Sequence, residues 1–301
     1  MNPATIELSA SYWSVSGNVY AGGPDEVSPF DFTERVETAS RIGYRGMGFV
    51  HADLVAVADR IGFPEMKRIL DGNGIKYVEV EIVMDWFTDG ERRAASDRVR
   101  ADLLRAAEAL NACHIKVGGN IEDMGNKVWP QEVMARDFAV ICDQAANVGT
   151  RIALELMPFS NLRTIDQGVQ LVRDSGTKNG GLMLDIWHLA RGGVDFDDIL
   201  RMPKELIYWV EIDDADPEIV DDLWTDTIHH RQLPGEGCLD IQGFLARVFE
   251  AGYTGPFGVE IISHRHRLLP LQEAAQRVFD TSMREFEKAL AGASAKAAAP
   301  K

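Results

Sequence analysis

Short apolar runs alternate with amphipathic stretches along the whole chain, the pattern of β-α units wound around a parallel sheet. The apolar runs predict eight strands, at residues 6–9, 46–50, 77–83, 114–117, 152–156, 182–186, 206–212 and 257–262. Helical spacing fills the gaps between them. Asp31 with Glu34 three residues on makes a capping pair, Phe32, Val36 and Ala39 share one face, and Gly43 closes that helix. The same spacing recurs in Val99, Leu103, Ala106 and Leu110, and again in Phe138, Ile141, Ala145 and Val148 with Gly149 as the stop. Thr164 with Gln167 reads as a second capping box, Ile241, Leu245 and Val248 lead to Gly252, and residues 271–290 form the last amphipathic stretch.

Eight similar units without a linker or a change of composition predict one α/β domain, a (β/α)₈ TIM barrel over residues 1–290. An open doubly wound sheet is the competing architecture. It lacks support, because no Gly-x-Gly-x-x-Gly follows the first strand and eight equivalent units suit closure better than an open edge. The Gly118-Gly119-Asn120 turn reads as a plain turn rather than a phosphate loop. Residues 291–301, built from Ala, Gly, Ser, Lys and Pro, are too poor in large apolar groups to pack and are expected to be disordered.

Composition narrows the function. A formal net charge of −16 over 301 residues disfavours nucleic acid and anionic membranes as partners, and the one basic cluster, His264-Arg265-His266-Arg267, is short. Three scattered cysteines, Cys113, Cys142 and Cys238, form neither a disulfide framework nor a zinc knuckle. With no signal-like start and no apolar run of membrane-spanning length, a cytoplasmic location is expected.

The chemistry lies in four anomalies. Strands of a parallel barrel are buried on both faces, so an acid within one needs a reason. Glu155, Asp185, Glu211 and Glu260 occupy the C-terminal ends of the last four predicted strands, which in a closed barrel surround one mouth. Crowded carboxylates repel by several kcal/mol and need a positive partner. Lys116 and Arg231 are candidates, but a divalent cation neutralises more charge in less space. An all-oxygen ligand set of Glu155, Asp185, Glu211 and Glu260 favours Mn²⁺, with Mg²⁺, Co²⁺ or Zn²⁺ as alternatives. His188, three residues past Asp185, is placed to ligate, to orient the aspartate or to bind a hydroxyl. Arg231, ahead of the Pro234-Gly235-Glu236-Gly237 turn, suits an anionic or hydroxylated group. Trp13, His51, Glu81, Trp86 and Trp187 also fall near strand ends, where rings beside polar groups suit a sugar, although each taken singly reads as core.

On the stretches Ala153-Leu154-Glu155-Leu156-Met157-Pro158, Leu184-Asp185-Ile186-Trp187-His188, Pro234-Gly235-Glu236-Gly237 and Gly258-Val259-Glu260, the chain resembles the xylose isomerase-like barrel superfamily. The likeness is to its sugar phosphate isomerase/epimerase group, related to D-tagatose 3-epimerases and inosose dehydratases, and runs from about Ile6 to Leu290. It implies metal ligation by Glu155, Asp185 and Glu260, proton transfer by Glu155 and Glu260, and substrate contacts from His188 and Arg231. One departure stands out. The seventh strand of such proteins usually reads His-x-Lys-Asp, whereas this chain has Glu211-Ile212-Asp213-Asp214. The many-histidine AP-endonuclease branch does not match a chain with seven histidines and an acidic surface.

The resulting expectation is a divalent-metal-dependent sugar isomerase or epimerase, with Glu155 and Glu260 catalytic and with His188, Arg231, Lys116, Trp187, Trp13 and Glu81 at the substrate. A dehydratase or β-eliminating lyase on a keto-sugar, 3-keto-glycoside or cyclic polyol is the alternative, and a non-catalytic sugar-binding barrel the third reading. The expected partner is a small-molecule sugar or polyol, with a homo-oligomer left open.

Overall fold

A computed structural model describes residues 6–298, with side chains as far as residue 292. Its strands are β1 (Leu8–Ala10), β2 (Gly46–Val50), β3 (Tyr77–Val83), β4 (His114–Gly118), β5 (Ile152–Glu155), β6 (Gly180–Asp185), β7 (Ile207–Ile212), β8 (Asp214–Ala215), β9 (Arg231–Gln232) and β10 (Phe257–Val259). All but the two-residue β8 and β9 are parallel and close into a barrel in the order β1-β10-β7-β6-β5-β4-β3-β2. This is the predicted TIM barrel, with all eight strands in their expected places.

The predicted helices follow. Phe32–Ile42 starts on Asp31, whose side chain accepts from the amides of Thr33 and Glu34, and stops at Gly43 with φ of 128°. Ile165–Ser175 starts on the Thr164–Gln167 capping box. The last helix, Leu271–Ala298, runs into the segment expected to be disordered, while 299–301 lie outside the described residues.

Strand ends differ from expectation where a side chain replaces the backbone ladder. The eighth barrel strand, expected to reach residue 262, stops at Val259. There Ser14 Oγ donates to the Val259 carbonyl at 2.7 Å and accepts from the Ile261 amide at 3.0 Å, standing in for a neighbouring strand. Glu260 is thereby turned into the mouth.

The barrel interior is polar over much of its height. Ser9, Glu79, His114, Lys116 and Glu211 are all at most 1% exposed. Glycine makes the room for them: a Cβ on Gly258 would stand 2.7 Å from both Glu211 Oε1 and Trp209 Nε1.

Between β7 and β10 the chain makes an unpredicted excursion. β8 pairs antiparallel with β9, and a helix, Leu223–His229, capped by Asp222, lies between them. Arg231 opens β9 and is fixed by this pairing. Asp214 secures the return. Its carboxylate accepts from the amides of Gly235 (3.0 Å), Gly237 (2.9 Å), Leu239 (2.8 Å) and Ala215 (2.9 Å), which sets the Pro234-Gly235-Glu236-Gly237 turn. Removing a charged acceptor strands those amides, so Asp214→Ala should lower stability by about 3 kcal/mol. Urea denaturation checks this, and a midpoint equal to wild type would show that the turn holds itself.

Candidate functional site

Parallel pairing aligns Asp185 with Glu211, and Gly118 with Glu155, at the C-terminal ends of their strands. Six carboxyl groups gather there around two permanent cations. Lys116 Nζ ion-pairs with Glu81 (2.7 Å), Glu260 (3.0 Å), Glu211 (3.1 Å) and Glu155 (3.7 Å). Arg231 Nη1 reaches Asp213 (2.5 Å), Asp185 (2.7 Å) and Glu260 (3.1 Å). Every one of these side chains is at least 95% buried. Two positive charges cannot balance six negative ones at low dielectric, so protons or a further cation must share the site.

Glu155, Asp185, His188 and Glu260 each offer a ligand atom within 4.8 Å of the others. That span is about twice a metal–ligand distance of 2.0–2.6 Å, so one ion among them needs only small side-chain shifts. Two observations favour the fit. Glu155 Oε1 is buried without a hydrogen-bond partner, which is costly unless something else binds it. Three carboxylates and an imidazole also make a donor set suited to a divalent cation.

Glu211 is corrected on this geometry. Expected as a fourth ligand, it is not among these four, because Ser11 Oγ donates to its Oε1 at 2.6 Å and Lys116 occupies its Oε2. His188 joins the other three instead. It rides on the short helix Ile186–Arg191, whose first turn Asp185 caps by accepting from the His188 amide at 3.1 Å. The spacing of three that the sequence shows is thus a helix cap that also points an imidazole at the acids.

A cavity of about 330 Å³ opens above this floor. Glu155, Glu260, His188, Arg231, Lys116, Glu81 and Trp13 all line it. Trp187 does not. It is fully buried, with the Arg231 guanidinium carbon 5.2 Å above its ring, so it backs the arginine rather than meeting a ligand. Trp86 is core, its Nε1 donating to the Gly118 carbonyl at 2.7 Å. Asp213, which sequence reasoning noted only as part of a variant motif, is the acid closest to Arg231. Trp224 and Phe159 also line the cavity and carried no signal beyond ordinary apolar character.

Burial pushes the Glu155 and Glu81 carboxyls up to about 8; Lys116 pulls both down and neighbouring acids push both up. Glu211 and Asp213 are likewise held well above the usual range by burial, with other acids adding to it. For Lys116, burial opposes the ammonium, but Glu155, Glu211, Glu260 and Glu81 outweigh it and raise its pKa. Burial, then the nearby Arg231 and Lys116 charges, keeps His188 neutral against the pull of Glu260. Its Nε2 lies 3.1 Å from Arg231 Nη2 and accepts that hydrogen bond.

A pH dependence follows. A carboxyl raised from 4.5 to about 8 in the fold keeps its proton where the unfolded chain releases it. Its contribution to stability is therefore full below about pH 4.5 and is lost as pH rises through about 8. The metal-stripped protein should lose stability in urea between about pH 5 and 9, and Mn²⁺ should restore it at the upper end. A flat or rising profile would mean that the six acids are compensated in another way.

Comparison with known proteins bears on the family and the fold. The family model described as xylose isomerase-like TIM barrel matches residues 36–284. A 3-dehydroshikimate dehydratase of Pseudomonas aeruginosa is 28% identical over 250 residues, 80% of this chain, and the chain spans 38% of that protein's length. An inosose isomerase of Halalkalibacterium halodurans is 24% identical over 74% of this chain and 80% of its own. Among solved structures, the IOLI protein with a binding zinc atom superposes with a TM-score of 0.81 at 17% identity, covering 94% of this chain and 99% of that one. A barrel closed in this order, with its acids at the mouth and a family match across most of its length, belongs to the xylose isomerase-like TIM barrel family.

Proposed function

We propose that this chain is an enzyme that removes a proton from the carbon beside a carbonyl in a sugar or cyclic polyol, with a divalent cation held by Glu155, Asp185, His188 and Glu260. The observation that carries this reading is the convergence of those four groups within 4.8 Å on the floor of a cavity that two of the glutamates line. The cation would supply Lewis-acid stabilisation of negative charge on the substrate's oxygens. Mn²⁺ suits a site of three carboxylates and one imidazole, with Zn²⁺, the ion bound by the structurally similar IOLI protein, as the nearest competitor.

The chain's own residues do the rest. Arg231, rigid between Asp185, Asp213 and the Trp187 ring, lines the cavity and sets a fixed positive charge beside a substrate hydroxyl or carboxylate. One of Glu155 and Glu260 takes the proton from carbon and the other returns one, at the same carbon for epimerisation or at the next for isomerisation. Lys116 Nζ, 3.7 Å from Glu155 and 3.0 Å from Glu260, keeps the two within reach of one ligand. Glu211 stays below, accepting hydrogen bonds from that lysine and from Ser11. The inosose isomerase relatives support this form of the reaction.

A second reading shares the first step and then expels a β-hydroxyl as water. It is supported by the two 3-dehydroshikimate dehydratase relatives, at 28% and 27% identity. Deuterium uptake from D₂O into recovered inosose, with an isomer appearing, supports the first reading, and an enone supports the second. In either case Glu260→Gln should slow exchange by roughly 100-fold or more, and Asp185→Asn should lower the metal content measured by elemental analysis. Ligand binding without exchange in the metal-loaded wild type would make the chain a sugar-binding barrel instead.

A further inference from the structure

The cavity changes character with height. Its floor is charged, but its upper wall is built from Trp13, Met84, Met157, Phe159, Trp224 and Ile228. Phe159 ties that wall to the floor, edge-on to Trp224 at 5.6 Å and to the His188 ring at 5.7 Å. Three polar side chains border this wall, and each already makes a hydrogen bond at one of its atoms. His51 Nε2 is 2.8 Å from Asp102, Thr227 Oγ1 accepts from Arg231 Nη2 and Nε at 2.9 and 3.2 Å, and Glu26 Oε1 accepts from the Gly22 amide at 2.7 Å.

A hydroxyl brought against such a wall gives up its water without gaining a partner. A bare polyol would be satisfied on the floor and penalised above it. We infer that the substrate is a keto-sugar or keto-cyclitol carrying an aromatic substituent, its ketone end on the acids and its ring between Trp224, Phe159 and Trp13. Edge-to-face geometry, already used between Phe159 and Trp224, is the arrangement a further aromatic ring would adopt there. This rests on the reading above for the ketone end only; the apolar wall is an independent observation and sets the rest of the molecule.

The test uses the Mn²⁺-loaded full chain and two probes that differ only above the floor, methyl and phenyl 3-keto-β-D-glucoside, with Kd measured by calorimetry. The phenyl compound should bind at least tenfold more tightly. Trp224→Ala, and separately Phe159→Leu, which keeps an apolar side chain but removes the ring, should each reduce that preference at least threefold. Equal affinities in wild type, binding of neither probe, or a preference unchanged in the variants would overturn the proposal. Solvent deuterium exchange into an unsubstituted ketose reports on the ketone chemistry alone, so failure of the aromatic preference and failure of the proposed reaction are told apart.

Discussion

Charge balance at the barrel mouth is the constraint on which the rest of this structure turns. Six buried carboxyl groups share Lys116 and Arg231, and neither cation could be removed without leaving acids stranded in low dielectric. The supporting architecture serves that balance. Trp187 braces the guanidinium from behind, Thr227 takes its remaining donors, and the β8–β9 pairing fixes where the arginine enters. Glycine at position 258 leaves the space that Glu211 fills. Much of what looks like packing in the upper barrel is the positioning of two positive charges among six negative ones.

The division of labour between strands and loops explains how such a site is compatible with a stable fold. Apolar residues that face outward, such as Leu154, Leu182 and Val210, pack in the main core with the helices, while the inward positions of the same strands carry Glu155, Asp185 and Glu211 at the mouth and a small apolar cluster of Ala153, Met183 and Trp209 below them. Hydrophobic burial outside the barrel thus carries stability, and the interior is free to hold groups whose desolvation would otherwise be prohibitive. The deeper His114–Glu79 contact, 2.6 Å and fully buried, continues this polar column below Lys116.

The fold was legible because β-α alternation and capping residues are local signals. Asp31, Thr164 and the turn glycines mark helix ends without reference to anything distant. The acids were legible for a related reason, since a carboxylate inside an apolar run is visible in one dimension. What the sequence could not show was which oxygen each acid spends on which partner. Glu211 sits at a strand end like Asp185, yet Ser11, 200 positions away in the chain, claims one of its oxygens. Trp187 and Trp13 look alike as strand-end tryptophans, and only the path of the Arg231 side chain separates the one behind it from the one facing the cavity. The excursion from β8 to β9 was missed because its elements are two to seven residues long and leave no periodicity to read.

Two serines just after β1, Ser11 and Ser14, tie the site to the closure of the barrel. Ser11 completes the hydrogen bonding of Glu211 on β7, and Ser14 bridges the frayed edge of β10 beside Glu260. The closing seam, where the first strand meets the last, is therefore also one wall of the acidic site. Opening that seam would withdraw both hydroxyls from the strand ends that hold Glu211 and Glu260, so barrel closure and the integrity of the site depend on the same contacts.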